Sequence, residues 1–402
     1  MIRKNKTYFI DQTSEGEHHM VFNASFIDIL NLLFPENLIY YSGIKSSQKH
    51  VFEALNENLK QKVVLKEINY YKLISNHIVL KGFNFILKEF LRFFKSLKIF
   101  LFTNKNDVIC LSITTFSSLF AFKVLSLFFN RKIITVLHGD VDFIYIAKNK
   151  NEKINALFYR LTFKLKKKNF KYILLNKISK SILIRDGYLN TSEVIEINHP
   201  YPFDNQELKI VELNYPIKFA HNGSMEIKRK NSHYIFVLAE NLKNEILNKK
   251  IEFYVIGLAT DQINPFKNNW VKISVGEQKN NLPPYLPRHQ YETDMLKMNY
   301  ILFFFPENEY VFRASGAVID AIAFEKPILA IKHPFFENIF NQCGEIGYLC
   351  ENLKEMEGLI FELNQNIEKY KSDYKKQILN LKALKDKFST QSIAIDIKLQ
   401  NN

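Results

Sequence analysis

Ser315 and Gly316 stand where an N-cap and a tight turn belong, between an extended run and an apolar helical one, in the segment YVFRASGAVIDAIAFEKPILAI (Tyr310–Ile331). The N–H groups that open the following helix, at Gly316 and Ala317, have no partner inside it, and the positive end of its dipole lies there too. That pattern is built to hold an anion. Arg313 adds a cation, and Asp320, just over one helical turn after Gly316, adds a carboxylate able to accept hydrogen bonds from sugar hydroxyls. A phosphate beside a ribose fits both.

A second stretch, FAHNGSMEIKRKN (Phe219–Asn231), follows a short strand and precedes an apolar-periodic helix. Gly223 and Ser224 form another turn of anion-loop type, and Lys230 brings a cation about two turns later. In the first half, KIITVLHGDVDFIYI (Lys132–Ile146) is a β-branched run ending in His138-Gly139-Asp140. Ligands of open α/β sheets sit beyond the carboxyl ends of strands, so His138 is placed to meet an acceptor hydroxyl or a donor sugar. The loop after the first strand, DQTSEGEHHM, brings Glu15, Gly16, Glu17, His18 and His19 to another such edge. Asp140 and Asp142 also spell Asp-x-Asp, which holds a hard cation only when both carboxylates face the same phosphates. The phosphate functions already have cations in the second half, so a metal-free site is expected.

Over most of the chain this pattern resembles the GT-B glycosyltransferases, two-domain enzymes that use nucleotide-activated sugars, and in particular their large retaining family. The resemblance implies a donor site made of Gly223, Ser224, Lys230, Arg313, Ser315, Gly316, Ala317 and Asp320, with Asp320 of DAIAFEKP on the ribose. It implies an acceptor site made of Gly16, His18, His19, His138 and Asp140, and catalytic roles for His138, Lys230 and Arg313. No cofactor is implied beyond the nucleotide-diphosphate sugar itself. Two positions depart from the family. Phe312 stands where the first of two glutamates, eight positions apart, belongs, so Glu307 or Glu309 takes its task or the sugar is gripped differently. Ser224 stands where the family has an Arg, and Arg313 is expected to supply that charge. Retention of configuration follows from the resemblance only; an inverting enzyme would need a base, for which Asp140, His138 or Glu17 could serve.

Strands and helices alternate along the chain, the mark of α/β architecture. The expected fold is two Rossmann-like domains facing a central cleft: 1–205 for the acceptor, 206–375 for the nucleotide sugar, and 376–402 as a C-terminal helix packing back on the first. First-sheet strands are expected near Thr7–Ile10, Leu38–Tyr41, Lys62–Lys66, Asp107–Ile113, Lys132–Leu137, Tyr172–Leu175 and Glu193–Ile197. His199-Pro200-Tyr201-Pro202 and the polar stretch to Pro216 read as the linker. Second-sheet strands are expected at Ile217–Ala220, Glu252–Ile256, Val271–Ser274, Tyr300–Phe305 and Ile328–Ile331, before a mostly helical tail from Leu353. The charged periodic segment Ile367–Lys387 is expected to make the crossing back.

At 402 residues, with 47% hydrophobic and 24% charged, the chain can bury two sizeable cores, which excludes wholesale disorder. Cys110, Cys343 and Cys350 are an odd number without metal-ligand spacing, as expected of reduced thiols in a cytoplasm. The N-terminus lacks the apolar core of a signal peptide, and no uncharged run is long enough to span a bilayer. A net charge of +14 calls for an anionic partner. Nucleic acid would suffice, but no recognisable binding module accompanies the charge, so none is expected. FNFILKEFLRFFKSLKIFLF (Phe83–Phe102) reads as a helix with Lys88, Arg92, Lys95 and Ser96 along one face and Phe and Leu over the rest; Asn151–Phe170 is a second basic helix. Such helices lie on membranes. The resulting expectation is a peripheral enzyme at the inner face of a membrane, acting on a lipid-linked saccharide of a surface polysaccharide such as O-antigen or capsule. A nucleotide-sugar epimerase of the same fold, a catalytically silent GT-B subunit and a basic nucleic-acid-binding protein are the alternatives.

Overall fold

Short runs of Val, Ile, Phe and Tyr form the strands of two wholly parallel sheets, whose central strands carry apolar residues on both faces and are buried between layers of helix, while the edge strands Val63–Glu67 and Val271–Val275 are partly exposed. The computed structural model describes residues 5–68, 78–203, 208, 211–258, 261–276 and 286–401. The expected boundary at 205/206 and part of the expected linker lie outside them. The first sheet contains β1 (Lys6–Ile10), β2 (Leu38–Gly43), β3 (Val63–Glu67), β4 (Val108–Leu111), β5 (Lys132–Leu137), β6 (Phe170–Leu174) and β7 (Val194–Glu196), in the order β3-β2-β1-β4-β5-β6-β7. The second contains β8 (Ile217–Ser224), β9 (Ile251–Leu258), β10 (Val271–Val275), β11 (Tyr300–Phe303), β12 (Ile328–Ile331) and β13 (Gly347–Cys350), in the order β10-β9-β8-β11-β12-β13. Both orders reverse once, between β1 and β4 and between β8 and β11, and such a switch point is where open α/β sheets bind ligands.

β13 is an addition to the expected strands. It is four residues long and starts at Gly347, where φ is 151° and any Cβ would meet the Ile328 carbonyl oxygen at 1.9 Å. Its hydrophobic signal is too short to announce a strand.

The chain divides into two compact units. One comprises Met1–Pro202, Phe312–Ala314 and Phe388–Asn402; the other comprises Phe203–Val311 and Ser315–Lys387. The crossing segment therefore needs correction. The helix Ile367–Asp386 stays with the second unit, because Tyr370, Tyr374 and Ile378, one turn apart, fill its core beside Tyr300 and Met356. The helix Thr390–Asn401 belongs to the first unit, where Ile393, Ala394 and Ile397 join the core of Phe9, Ile27 and Leu30.

The exposed side of the helix Ile78–Phe102 is its apolar one. Arg92 pairs with Glu89, their side chains 13% and 14% exposed, and Glu89 further accepts hydrogen bonds from Thr115 and Ser117 of the next helix, so the polar side faces the protein. Phe83, Ile86 and Phe90 point outward, 58%, 67% and 59% exposed. Leaving such side chains in water forgoes about 1.5–3 kcal/mol each. Among the described residues no helix is long and apolar enough to cross a membrane.

Candidate functional site

In the second unit the expected donor residues converge at the β8/β11 switch point. β8 ends at Gly223 and Ser224, with Gly223 at φ +82°, a conformation that glycine adopts without strain. A Cβ on Gly223 would lie 3.2 Å from Ala317 Cβ and 3.7 Å from Lys230 Nζ, so the turn, the helix start and the lysine share one spot. Gly257 on β9 backs the turn, its φ of +135° allowing the Gly223 carbonyl to approach.

The helix Gly316–Ala323 starts as its sequence requires. Ser315 is the N-cap, its Oγ accepting from Val318 N, and its carbonyl takes the N–H groups of Val318 and Ile319. The N–H groups of Gly316 and Ala317 have no acceptor among the described residues. A Cβ on Gly316 would meet nothing within 4 Å, so space is open above them.

Lys230 closes the one-turn helix Ile227–Lys230 and is 7% exposed. Its Nζ donates to Ser224 O at 3.0 Å and Ser224 Oγ at 3.1 Å, and no carboxylate lies within ion-pair distance among the described residues. Burial pushes its pKa down to about 8. An ammonium held this way is short of negative charge. Nothing local in the chain marks how the loop is braced. Buried His221 holds Leu302 O through Nδ1 and Ser232 Oγ through Nε2, Ser232 Oγ accepts from Glu226 N, and Asn231, left-handed at φ 48°, donates to Phe304 O.

Asp320 faces two partners of its own unit. Tyr291 Oη donates to its Oδ2 at 2.9 Å and Arg288 Nη1 to its Oδ1 at 3.3 Å. Asn222 Nδ2 joins Tyr291 Oη to the Ala317 carbonyl, both at 2.9 Å, which ties the helix start to β8. Asp320 therefore positions the helix, whatever else it binds. Arg288, Tyr291 and Asn222 went unnoticed in the sequence, since no spacing rule links them. Glu307 is exposed and its carbonyl meets His333 Nε2 at 3.2 Å; Glu309 is half-buried.

Arg313 has a partner in its own unit. It belongs to the first unit, where Nε and Nη2 both donate to Asp142 Oδ2, at 2.9 and 2.7 Å. Phe312 stacks on Tyr145 with ring centroids 5.0 Å apart. The guanidinium is matched by a carboxylate. The same pair occupies Asp142, while Asp140 is exposed, so the two aspartates of Asp-x-Asp do different things.

Four histidines of the first unit gather at the carboxyl edge of its sheet. His18 and His19 follow β1, His138 follows β5, and His199, absent from the expected site, follows β7. Ring centroids separate His18 from His19 by 4.0 Å and His19 from His138 by 5.1 Å; Phe22 lies 5.0 Å from His138 and 5.1 Å from His199. Burial lowers all four pKa values, that of His138 to about 3 and that of His199 to about 4, and the neighbouring imidazoles lower His138 and His19 further. These are neutral rings, suited to hydroxyls and not to anions. His138 Nε2 is sealed from solvent without a partner in the described residues. Gly16, at φ +59°, donates its N–H to Ser46 Oγ at 3.3 Å on the same loop side.

No family model and no curated protein matches the sequence. Solved structures do match along its whole length. HepE of Anabaena, solved in complex with UDP, is 13% identical, with a TM-score of 0.64 over 98% of each chain. A glycosyltransferase from Rickettsia africae is 12% identical, with a TM-score of 0.63 over 99% of this chain and 98% of that one. The fold is GT-B. A putative UDP-N-acetylglucosamine 2-epimerase from Listeria monocytogenes shares it, at 10% identity and a TM-score of 0.59 over 98% of this chain and 95% of that one. Gly223 and the start of the Gly316–Ala323 helix stand at the switch point of the second sheet, and His18 and His19 follow β1 at that of the first.

Proposed function

We propose that this chain is a glycosyltransferase that moves a sugar from a nucleoside-diphosphate donor to a hydroxyl of a saccharide acceptor, without a metal ion. The observation that carries the reading is Lys230, a buried ammonium without a carboxylate partner in the described residues, set against Gly223 and the open start of the Gly316–Ala323 helix. As the bond between the anomeric carbon and the phosphate oxygen breaks, its electron pair passes to the diphosphate. Lys230 and the N–H groups of Gly316 and Ala317 then meet charge that grows in the transition state, the interaction that accelerates such a step most. The neutral histidines of the first unit orient the acceptor hydroxyl. With a pKa of about 3, His138 is a weak base near neutrality, so the acceptor proton is passed to the departing diphosphate, in keeping with a retaining reaction. The finer part of the reading is an acceptor carried on a lipid at a membrane surface.

The test is a thermal-shift panel of nucleoside diphosphates and their sugars, beginning with UDP, followed by transfer assays on lipid-linked saccharides. No shift with any diphosphate would sink the donor site. Release of free epimer from donor alone would instead favour an epimerase on the same fold.

Two expectations follow from the cations. Because Lys230 titrates near 8, kcat/KM for the donor should fall as pH rises through about 8, while kcat, governed by the complex whose anion raises that pKa, should hold to higher pH. A kcat/KM profile flat across the alkaline range would take Lys230 off the diphosphate. Excess EDTA should leave turnover nearly unchanged, since Asp142 is committed to Arg313. Activity abolished by EDTA and restored by Mn²⁺ or Mg²⁺ would replace this mechanism with metal-assisted departure.

A further inference from the structure

We infer that the Ile78–Phe102 and Lys150–Lys164 helices of the first unit form one docking surface for an anionic lipid bilayer. This deepens the reading of a lipid-borne acceptor and rests on it for its purpose. The first helix is inside-out: Phe83, Ile86, Phe90 and Phe94, at positions i, i+3, i+7 and i+11, are exposed, while Glu89 and Arg92 pair on the protein side. Both helices pack against Phe116–Phe128, the second through Phe158 on Phe116 and Phe120. A groove of about 250 Å³ between Ile78–Phe102 and Phe116–Phe128 is lined by Phe93, Phe120, Ala121 and Val124, with Glu89, Ser117 and Ser118 at its polar end.

The choice of occupant rests on charge. On the Lys150–Lys164 helix, Ile154, Leu157 and Leu161 form an exposed apolar ridge, and Lys150, Lys153 and Lys164 stand exposed on the same arc. The helix has one carboxylate, Glu152, and it is turned back into the capping box with Asn149. A second copy would bring the same cations against these, whereas an anionic leaflet neutralises them while its acyl region takes the aromatic side chains. The surface lies on the bilayer and does not cross it.

The experiment is co-sedimentation of the whole chain with phosphatidylglycerol-containing and pure phosphatidylcholine vesicles. The wild type should bind the anionic vesicles more tightly and lose affinity with salt. Phe90→Ser with Phe94→Ser should lower partitioning about tenfold or more, and Lys150→Gln, Lys153→Gln and Lys164→Gln about fivefold each, on anionic vesicles only. All these side chains are exposed, so melting temperature and diphosphate binding should match the wild type. Absence of wild-type binding, or binding unchanged in both variant sets, overturns the inference. A solution dimer dissolved by the Phe variants also overturns it, assigning the face to a second copy. If no diphosphate binds while vesicles do, the donor reading fails and the docking surface stands.

Discussion

Lys230→Ala should lower turnover by about 10²-fold or more, the usual consequence of removing one preorganised donor at a leaving group. Its melting temperature should hold or rise, because the substitution also removes a buried charge that lacks a carboxylate partner in the described residues. Arg313→Ala should behave differently. It strips the bidentate partner from Asp142, a side chain 8% exposed, and should destabilise the first unit by about 2 kcal/mol, between the limits for surface and buried pairs. In the double variant with Asp142→Ala that loss should shrink. Steady-state kinetics and denaturant unfolding on the same four proteins separate the roles. Lys230→Ala with turnover within threefold of wild type would end the assignment.

Gly257→Ala should be among the most damaging small changes in the second unit. Its φ of +135° is outside the range an alanine accepts, and the added Cβ would sit 2.5 Å from the Gly223 carbonyl oxygen, a backbone atom that cannot swing away. Strain and overpacking together cost about 3 kcal/mol or more. The damage should also reach the anion site, because β8 and β9 are paired at these two glycines. Unfolding midpoints in urea, with diphosphate affinity of the folded fraction, would measure both. Wild-type values for each would mean that the turn is looser than its geometry indicates.

The parts of this protein legible in its sequence are those with local causes. β-branched and apolar runs marked twelve of the thirteen strands among the described residues, and an N-cap serine before a glycine marked the start of the Gly316–Ala323 helix. Gly223, Lys230 and Ala317 were grouped through the family resemblance, and the structure brings them within a few ångströms of one another. Partners chosen by tertiary packing were illegible. Arg313 follows Phe312 into the first unit, and nothing near it in the chain names Asp142. Asp320 meets Tyr291 across 29 positions, and His199 joins the other histidines only through the sheet. Which face of Ile78–Phe102 lies inside was illegible for a related reason: its period shows two faces, but the choice depends on Thr115 and Ser117 beside it.

Gly139 gives Arg313 its room. A Cβ there would lie 2.2 Å from Arg313 Cγ, so a side chain at 139 and an extended arginine at 313 exclude each other in this backbone. Evolution can alter the pair only in concert. Among descendants of a common ancestor, replacement of Gly139 by a larger residue should travel with a shorter residue at 313, and with release of Asp142 from its present duty. A lineage that made that double exchange would have freed both carboxylates of Asp-x-Asp, and with them the raw material for a metal-using descendant.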